Sequence, residues 1–479
     1  MQQNGSDGRM TRRDSLKRTA AAFMILPAGL ARGYAANEKM NIAVIGLNRG
    51  RSDLKALSDL GENITALCDV DSHILDKVGE EYPKAHKYTD FRKMIESEKL
   101  DGVVVATPDH NHAYISVWAM KHGIHVYCEK PLAQNIHECR VMAKVAAETK
   151  VITQMGTSST AEPRTLRTME MIQSGALGEI VEAHLSTDRP VWPQGFDRPT
   201  AEDAVPSTLA WDTWIGPAAA RPYQHAWPKD HVVYTPEQRK KFPFNKGPLI
   251  EVYHPFVWRG WTEFGSGAVG DIAPHHMNVV FMALDLGAPS AVEVVETSGM
   301  KKEMYPEWSV VRFEWPQRGV HPPFRLYWYD GGKIPPDNIT AVSQLPPQQP
   351  GGPLRAGVGG LIWVGTKGSL PQNRGPYFGQ KADPYPVPPQ KDWGREDVYK
   401  DWVGGVRTGK QPSCNFSYSG PFTEGYQLAN VALRVGHRVE WDSLAFRVTN
   451  CREANQYLRR DYRRGWDLKE IAGSDAFNV

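Results

Sequence analysis

From residue 40 to 155 short apolar runs alternate with stretches whose apolar residues recur every three or four positions. Asn41-Ile42-Ala43-Val44-Ile45 is apolar and stops at Gly46, the pattern of a strand buried on both faces. A helix is expected to open near Ser52-Asp53, which can cap it, and to turn Leu54 and Leu57 inward. Ile64 to Cys68 predicts the second strand, closed by Asp69, and Ser72 to Glu81 a helix. Gly102 to Ala106 predicts a further strand, ending in Thr107-Pro108-Asp109-His110-Asn111-His112 and a helix to Gly123. Ile124 to Cys128 is another strand. Asn135 and Glu138 have capping-box spacing for a helix to about Thr149, and Val151 to Met155 is the last strand of the unit. Short strands joined by helices of roughly 10–15 residues predict an α/β domain with a doubly wound parallel sheet.

Beyond Gly156 the texture changes. Pro163 to Ser174 predicts one helix, stopped by Gly175. Ile180–Ser186, Val292–Ser298, Ser309–Trp315 and Arg325–Tyr329 read as strands. Between them lie long stretches rich in Trp, Pro and Gly at 189–262, 333–360 and 370–392. The expectation is an α+β domain with a large, mostly antiparallel open sheet. The division is 1–36 as a signal peptide, 37–155 as the nucleotide-binding domain, and 156–479 as the substrate and oligomerisation domain.

Thr11-Arg12-Arg13-Asp14-Ser15-Leu16-Lys17, the apolar run from Thr19 to Ala31 and the small residues Gly33-Tyr34-Ala35-Ala36 stand in the order of a twin-arginine signal. The competing reading is a basic tail on a cytosolic enzyme. The apolar run is too short for a membrane span, and no cysteine offers a lipid anchor there. Export through the twin-arginine translocase, which carries folded proteins, would place the protein in the periplasm with a cofactor already inside. The net charge of +2 gives no electrostatic case for nucleic acid, and the five cysteines lack the spacing of a metal or redox motif. Fifteen tryptophans, 36 prolines and 43 glycines suit long loops around a small polar ligand.

Candidate chemistry gathers at the strand ends. Gly46-Leu47-Asn48-Arg49-Gly50-Arg51 is one residue shorter than the usual glycine-rich phosphate turn, with Asn48 where a second glycine might stand. Asn tolerates left-handed backbone, which would let the turn survive. Asp69, at the end of the second strand, can accept ribose hydroxyls and favours NAD; NADP is the alternative if Arg49 or Arg51 binds a 2′-phosphate. Asp69 also reads as a helix cap or turn residue. Cys128-Glu129-Lys130-Pro131-Leu132 follows an apolar strand and puts a lysine where a nicotinamide and a sugar hydroxyl would meet. Asp271 and His275, four apart, share a face if helical. A histidine titrating near neutrality suits removal of a hydroxyl proton, and an ammonium stabilises alkoxide charge.

Together these segments, with Gly265-Ser266-Gly267-Ala268-Val269-Gly270-Asp271-Ile272-Ala273-Pro274-His275, resemble the Gfo/Idh/MocA family of glucose–fructose oxidoreductase and inositol dehydrogenase. The resemblance implies a Rossmann domain, an α+β domain whose sheet often makes oligomer contacts, and hydride transfer at a sugar or polyol hydroxyl with bound NAD(P). It assigns Lys130 to the reacting hydroxyl, His275 to acid/base work and Asp271 to its support. It places Gly46, Asn48, Arg49, Gly50, Asp69, Thr107, Pro108, His110, Glu129 and Lys130 at the cofactor. Ala273 stands where the family commonly has glycine, and Asn278 where a carboxylate often follows the histidine.

On the substrate side, Arg189, Trp192, Tyr253, His254, Trp258, Arg259 and His276 combine rings that stack on sugars with groups that reach hydroxyls. Loop packing is the competing role for the aromatics, and core or capping for His276. Three functions stand: an exported NAD(P)-dependent oxidoreductase of sugars, polyols or glycosides with a tightly held cofactor; an NAD-dependent glycosidase of the same fold; and a non-catalytic carbohydrate-binding protein.

Overall fold

The computed structural model describes residues 38–244, 247–340, 358–372 and 388–479. The twin-arginine segment, Arg12 and Arg13 included, lies outside them, as do parts of the 333–360 and 370–392 stretches.

The first sheet is parallel and six-stranded. It contains β1 (Asn41–Ile45), β2 (Asn63–Cys68), β3 (His86–Tyr88), β4 (Gly102–Val105), β5 (His125–Glu129) and β6 (Thr153–Gly156), in the order β3-β2-β1-β4-β5-β6. That is the doubly wound order, in which ligands bind at the carboxyl edge where the strand order reverses, between β1 and β4. Its centre is apolar on both faces: Ile42, Ala43, Val44, Val103, Val104 and Val105 have no exposed surface.

Several local expectations are corrected. The first helix spans Leu47–Asp59 and begins straight after Gly46, not at Ser52-Asp53. Asp53 is therefore no cap; it is a buried residue of the helix interior. Asn48 lies in the first helical turn, not in left-handed backbone, and the positive φ falls on Gly46 at 87°. Asn135 does cap the helix Ile136–Thr149, accepting the Glu138 amide at 3.0 Å, but the Glu138 carboxylate turns to Tyr462 and Arg460.

The second sheet has eight strands: β7 (Ile180–Thr187), β8 (Ala291–Thr297), β9 (Ser309–Trp315), β10 (Phe324–Tyr329), β11 (Val358–Gly365), β12 (Gly368–Gln372), β13 (Val439–Asp442) and β14 (Arg447–Val448). The order is β12-β11-β7-β10-β9-β8-β13-β14, antiparallel except where β10 meets β7. The chain is thus a Rossmann domain joined to a domain built on a large, mostly antiparallel sheet.

The two units interlock. Helix Val398–Thr408 returns to the first sheet, where Trp402 packs with Ile42 and Val44 beneath Gly102. The stretch from 189 to 262 builds an aromatic core from Trp211, Trp214, Trp227, Tyr253 and Trp261, joined by Phe264 just beyond it. Among the described residues no helix is long and apolar enough to cross a membrane.

Candidate active site

A cleft of about 330 Å³ opens at the carboxyl ends of β1, β2 and β4, lined by Gly46, Asn48, Arg49, Asp69, Thr107, Pro108, Trp214, His254, Trp258 and Arg259 among others. A Cβ on Gly46 would sit 2.6 Å from the Ala106 carbonyl oxygen, so only glycine lets the chain turn here against β4. Gly50 is helical, and a Cβ there would meet Val44 Cγ1 at 2.8 Å; it permits close helix–strand packing. Asp69 Oδ2 accepts the Leu47 amide at 2.7 Å and Oδ1 the Asp71 amide at 2.9 Å, which fastens β2 to the first helical turn.

These residues fit a dinucleotide. The helix amino end meets the cleft, Asp69 keeps lone pairs beyond its two amide bonds, and Thr107 Oγ1 is buried in the cleft wall without a partner among the described residues. The two arginines weighed for a 2′-phosphate are otherwise engaged. Arg49 Nη2 pairs with Glu129 Oε1 at 2.9 Å, and Arg51 pairs with Glu81. Glu129 also accepts the Lys130 amide at 3.3 Å. Burial, then the neighbouring Asp53, pushes the Glu129 carboxyl up to about 7, with Arg49 opposing.

At the end of β5, Lys130 Nζ donates to the Asp271 backbone oxygen at 2.7 Å and to Oδ1 at 2.8 Å. Arg259 Nε reaches the same Oδ1 at 3.2 Å, while its guanidinium lies over the rings of Trp258 and Phe256 at 4.3 and 4.4 Å. Burial alone would raise the Asp271 carboxyl; Lys130 and Arg259 more than offset it and hold it well below the ordinary range. His275 follows on the same helix, Gly267–His276. Two expectations about it change. Asp271 is turned to Lys130 and Arg259 and acts on His275 only through its charge. Nor does His275 titrate near neutrality: burial and the Lys130 ammonium push it down to about 3.

The other expected residues divide. Trp258, Arg259 and His254 line the cleft, and His254 Nε2 contacts Asp71 Oδ2 at 3.0 Å. Trp192 and Tyr253 have no exposed surface; their polar atoms go to Gln194 at 3.0 Å and Gln224 at 3.3 Å, so both serve packing. His110 is buried between the Trp214 and Phe264 carbonyls, at 2.9 and 3.2 Å, and does not line the cleft. Arg189 pairs with its neighbour Asp188 at 2.6 Å, away from the cleft lining. His276 is half-buried at the end of its helix, and Asn278 forms a buried bracket to Ser159, Thr160 and Tyr418.

Three residues were missed. Asn111 and Trp214 line the cleft. His112 stands 2.8 Å from both the Thr107 and Pro131 carbonyls, tying the Lys130 loop to the end of β4. Asn111 and His112 belong to the polar run after β4; nothing in sequence singles out Trp214 among fifteen tryptophans.

Residues 40–157 match the Gfo/Idh/MocA model, an oxidoreductase family with an NAD-binding Rossmann fold. Over 156 residues the chain is 33% identical to glycosyl hydrolase family 109 protein 2 of Phocaeicola vulgatus, covering 30% of this chain and 37% of that protein. An alpha-N-acetylgalactosaminidase of Bacteroides fragilis is 32% identical over 153 residues, covering 29% and 36%. The chain therefore matches little more than a third of the length of these relatives. Among solved structures, the WlbA dehydrogenase of Bordetella pertussis, in complex with NADH and UDP-GlcNAcA, aligns with a TM-score of 0.54 at 16% identity, covering 85% of this chain and 99% of that one. GenD2 from gentamicin A biosynthesis, in complex with NAD, aligns with a TM-score of 0.55 at 17% identity, covering 86% and 99%. Both show the two-unit fold. With the glycine cradle, the Asp69 brace and the cleft between β1 and β4, residues 40–157 form a Rossmann domain that is similar to the NAD-binding domain of the Gfo/Idh/MocA oxidoreductases.

Proposed function

We propose that the protein transfers hydride between NAD held in this cleft and a hydroxyl-bearing carbon of a sugar, polyol or glycoside. The observation that carries the reading is the Lys130 ammonium, fixed by two oxygens of Asp271 beside His275. NAD supplies the hydride-accepting ring when bound. The chain supplies the rest. Lys130 donates a hydrogen bond to the reacting oxygen and stabilises its charge as the hydride leaves carbon. His275, unprotonated at neutral pH, takes the hydroxyl proton. Asp271, itself gripped by Arg259, holds the lysine in place, and Trp258 offers a ring face to the substrate.

A second reading is an NAD-dependent glycosidase, in which transient oxidation makes the neighbouring C–H acidic, the glycosidic bond breaks by elimination, water adds in its place, and the hydride returns. The names of the relatives aligned to the first domain favour it. Product analysis separates the two: the oxidoreductase yields an oxidised sugar, the glycosidase a free sugar and no net oxidation. Turnover of neither free sugars nor glycosides by the NAD-loaded protein removes both and leaves the carbohydrate-binding protein. The order of Arg12-Arg13, apolar run and small residues supports folded export to the periplasm, and with it a cofactor retained through turnover. The large second sheet suits a homo-oligomer. Cell fractionation and solution mass measurement test these two points.

A further inference from the structure

A second cavity, of about 300 Å³, shares no lining residue with the cofactor cleft. One wall is the segment just after the Lys130 loop, where Gln134 Nε2 donates to the Thr262 carbonyl at 2.7 Å. Another is a polar stripe on helix Phe416–Val435, where Gln427, Asn430 and Arg434 fall at helical spacing. Arg460 enters from the C-terminal segment with its side chain only 10% exposed.

Much of this wall is satisfied internally. Asn430 Nδ2 donates to Gln427 Oε1 at 2.6 Å and to the Ser266 carbonyl at 2.9 Å. Arg434 Nη2 donates to Thr262 O at 3.1 Å, and Arg460 Nη2 to Glu263 O at 3.1 Å. Arg460 Nε faces Glu138 Oε1 at 3.4 Å, and that carboxylate also accepts from Tyr462 at 3.2 Å. Besides Arg460 Nε, which has the ion pair to Glu138, two atoms of the lining stay without a hydrogen-bond partner among the described residues: Arg460 Nη1, a charged donor, and Asn430 Oδ1, an acceptor. Both are buried, where an unmet polar group is costly. Three arginines (434, 459, 460) line the cavity against two acids (Glu263, Asp461).

We propose that this cavity binds a small molecule bearing an oxyanion, carboxylate or phosphate, which Arg460 Nη1 takes, with a neighbouring hydroxyl donating to Asn430 Oδ1. A charge-assisted bond to a guanidinium is the strong part of such recognition, and the amide oxygen selects a hydroxyl beside it. The proposal is independent of the reaction in the first cleft.

Calorimetric titration of the full chain, saturated with NAD so that the first cleft is filled, tests it with sodium gluconate, inorganic phosphate and uncharged sorbitol. At least one anion should bind, and sorbitol should bind about tenfold more weakly or not at all. Tighter binding of gluconate identifies a hydroxy-acid source; equal or tighter binding of phosphate identifies a phosphate source. Arg460→Gln should abolish anion binding. Gln456→Glu, an exposed residue of the lining, adds a like charge without disturbing the fold and should weaken binding about fivefold. No anion binding tighter than about 10 mM overturns the proposal. Sorbitol binding as well as the anions, or anion binding unchanged in both variants, does so equally.

Discussion

Lys130 and Asp271 stand 141 positions apart in the chain and meet at 2.8 Å, the ammonium of one held by a side-chain and a backbone oxygen of the other. The lysine directly follows the fifth strand of the parallel sheet; the aspartate belongs to a helix that follows the aromatic-rich insertion. Their charges act on His275 in opposite senses, the lysine lowering its pKa and the aspartate raising it.

Lys130→Ala should therefore cut turnover by about 10²–10³-fold, the scale of losing a group that stabilises developing charge. Asp271 keeps Arg259 as a partner, and the cofactor cradle lies mainly at Gly46, Asp69 and Thr107. Fold and NAD affinity should persist. Steady-state rates with an NAD titration check both; near-normal turnover removes the lysine from the chemistry.

The pH profile follows from His275. Its pKa is depressed to about 3, so the neutral base is present above that value and is lost only as pH falls through it. In the NAD-loaded enzyme, kcat/KM should not decline through His275 between pH 7 and 5. His275→Ala should lower it by about 10²-fold at every pH in that range. A wild-type limb centred near pH 6.5 that vanishes in the variant would contradict this.

Glu129 makes an opposite prediction about stability. Its carboxyl is raised to about 7 in the folded protein, so its stabilising contribution is complete below its ordinary pKa and is lost as pH rises through about 7. Between pH 5 and 7 the wild type should lose stability relative to Glu129→Gln, on the order of 1 kcal/mol per pH unit at most. Denaturant unfolding at the two pH values reads the difference. Parallel pH dependence in both proteins would mean that burial and Asp53 do not raise the Glu129 carboxyl in the folded protein.

Cofactor choice follows from Asp69. Asp69 lines the cleft at the end of β2, while Arg49 and Arg51 are paired with Glu129 and Glu81. NAD should bind at least about tenfold more tightly than NADP, and Asp69→Ser should narrow the gap. Tighter NADP binding in the wild type would show that an arginine leaves its partner for the 2′-phosphate.

What could be read in the sequence was what depends on local pattern. The valines of β4 and the run Ile42–Ile45 announce buried strands because both faces of the sheet are covered. Lys130, Asp271 and His275 stood out because they end or follow such elements. The errors have a common cause, which is tertiary packing that no window contains. Asp53 looks like a cap, yet it is buried because Tyr399, donating to it at 2.7 Å, arrives from far along the chain. Trp192 and Tyr253 look like sugar platforms, yet the insertion needs them as its own core. The depression of His275 was hidden because its causes, burial first and then the Lys130 charge, arise from packing against distant segments.

The central claim is hydride transfer at a carbohydrate carbon next to Lys130. Sugars and glycosides deuterated at successive carbinol carbons, supplied to the NAD-loaded protein, test it most directly. The account predicts deuterium on the nicotinamide ring after a single turnover with a reactive substrate, and loss of that transfer in Lys130→Ala. Product formation with no label passing to nicotinamide, from any labelled position, would contradict it.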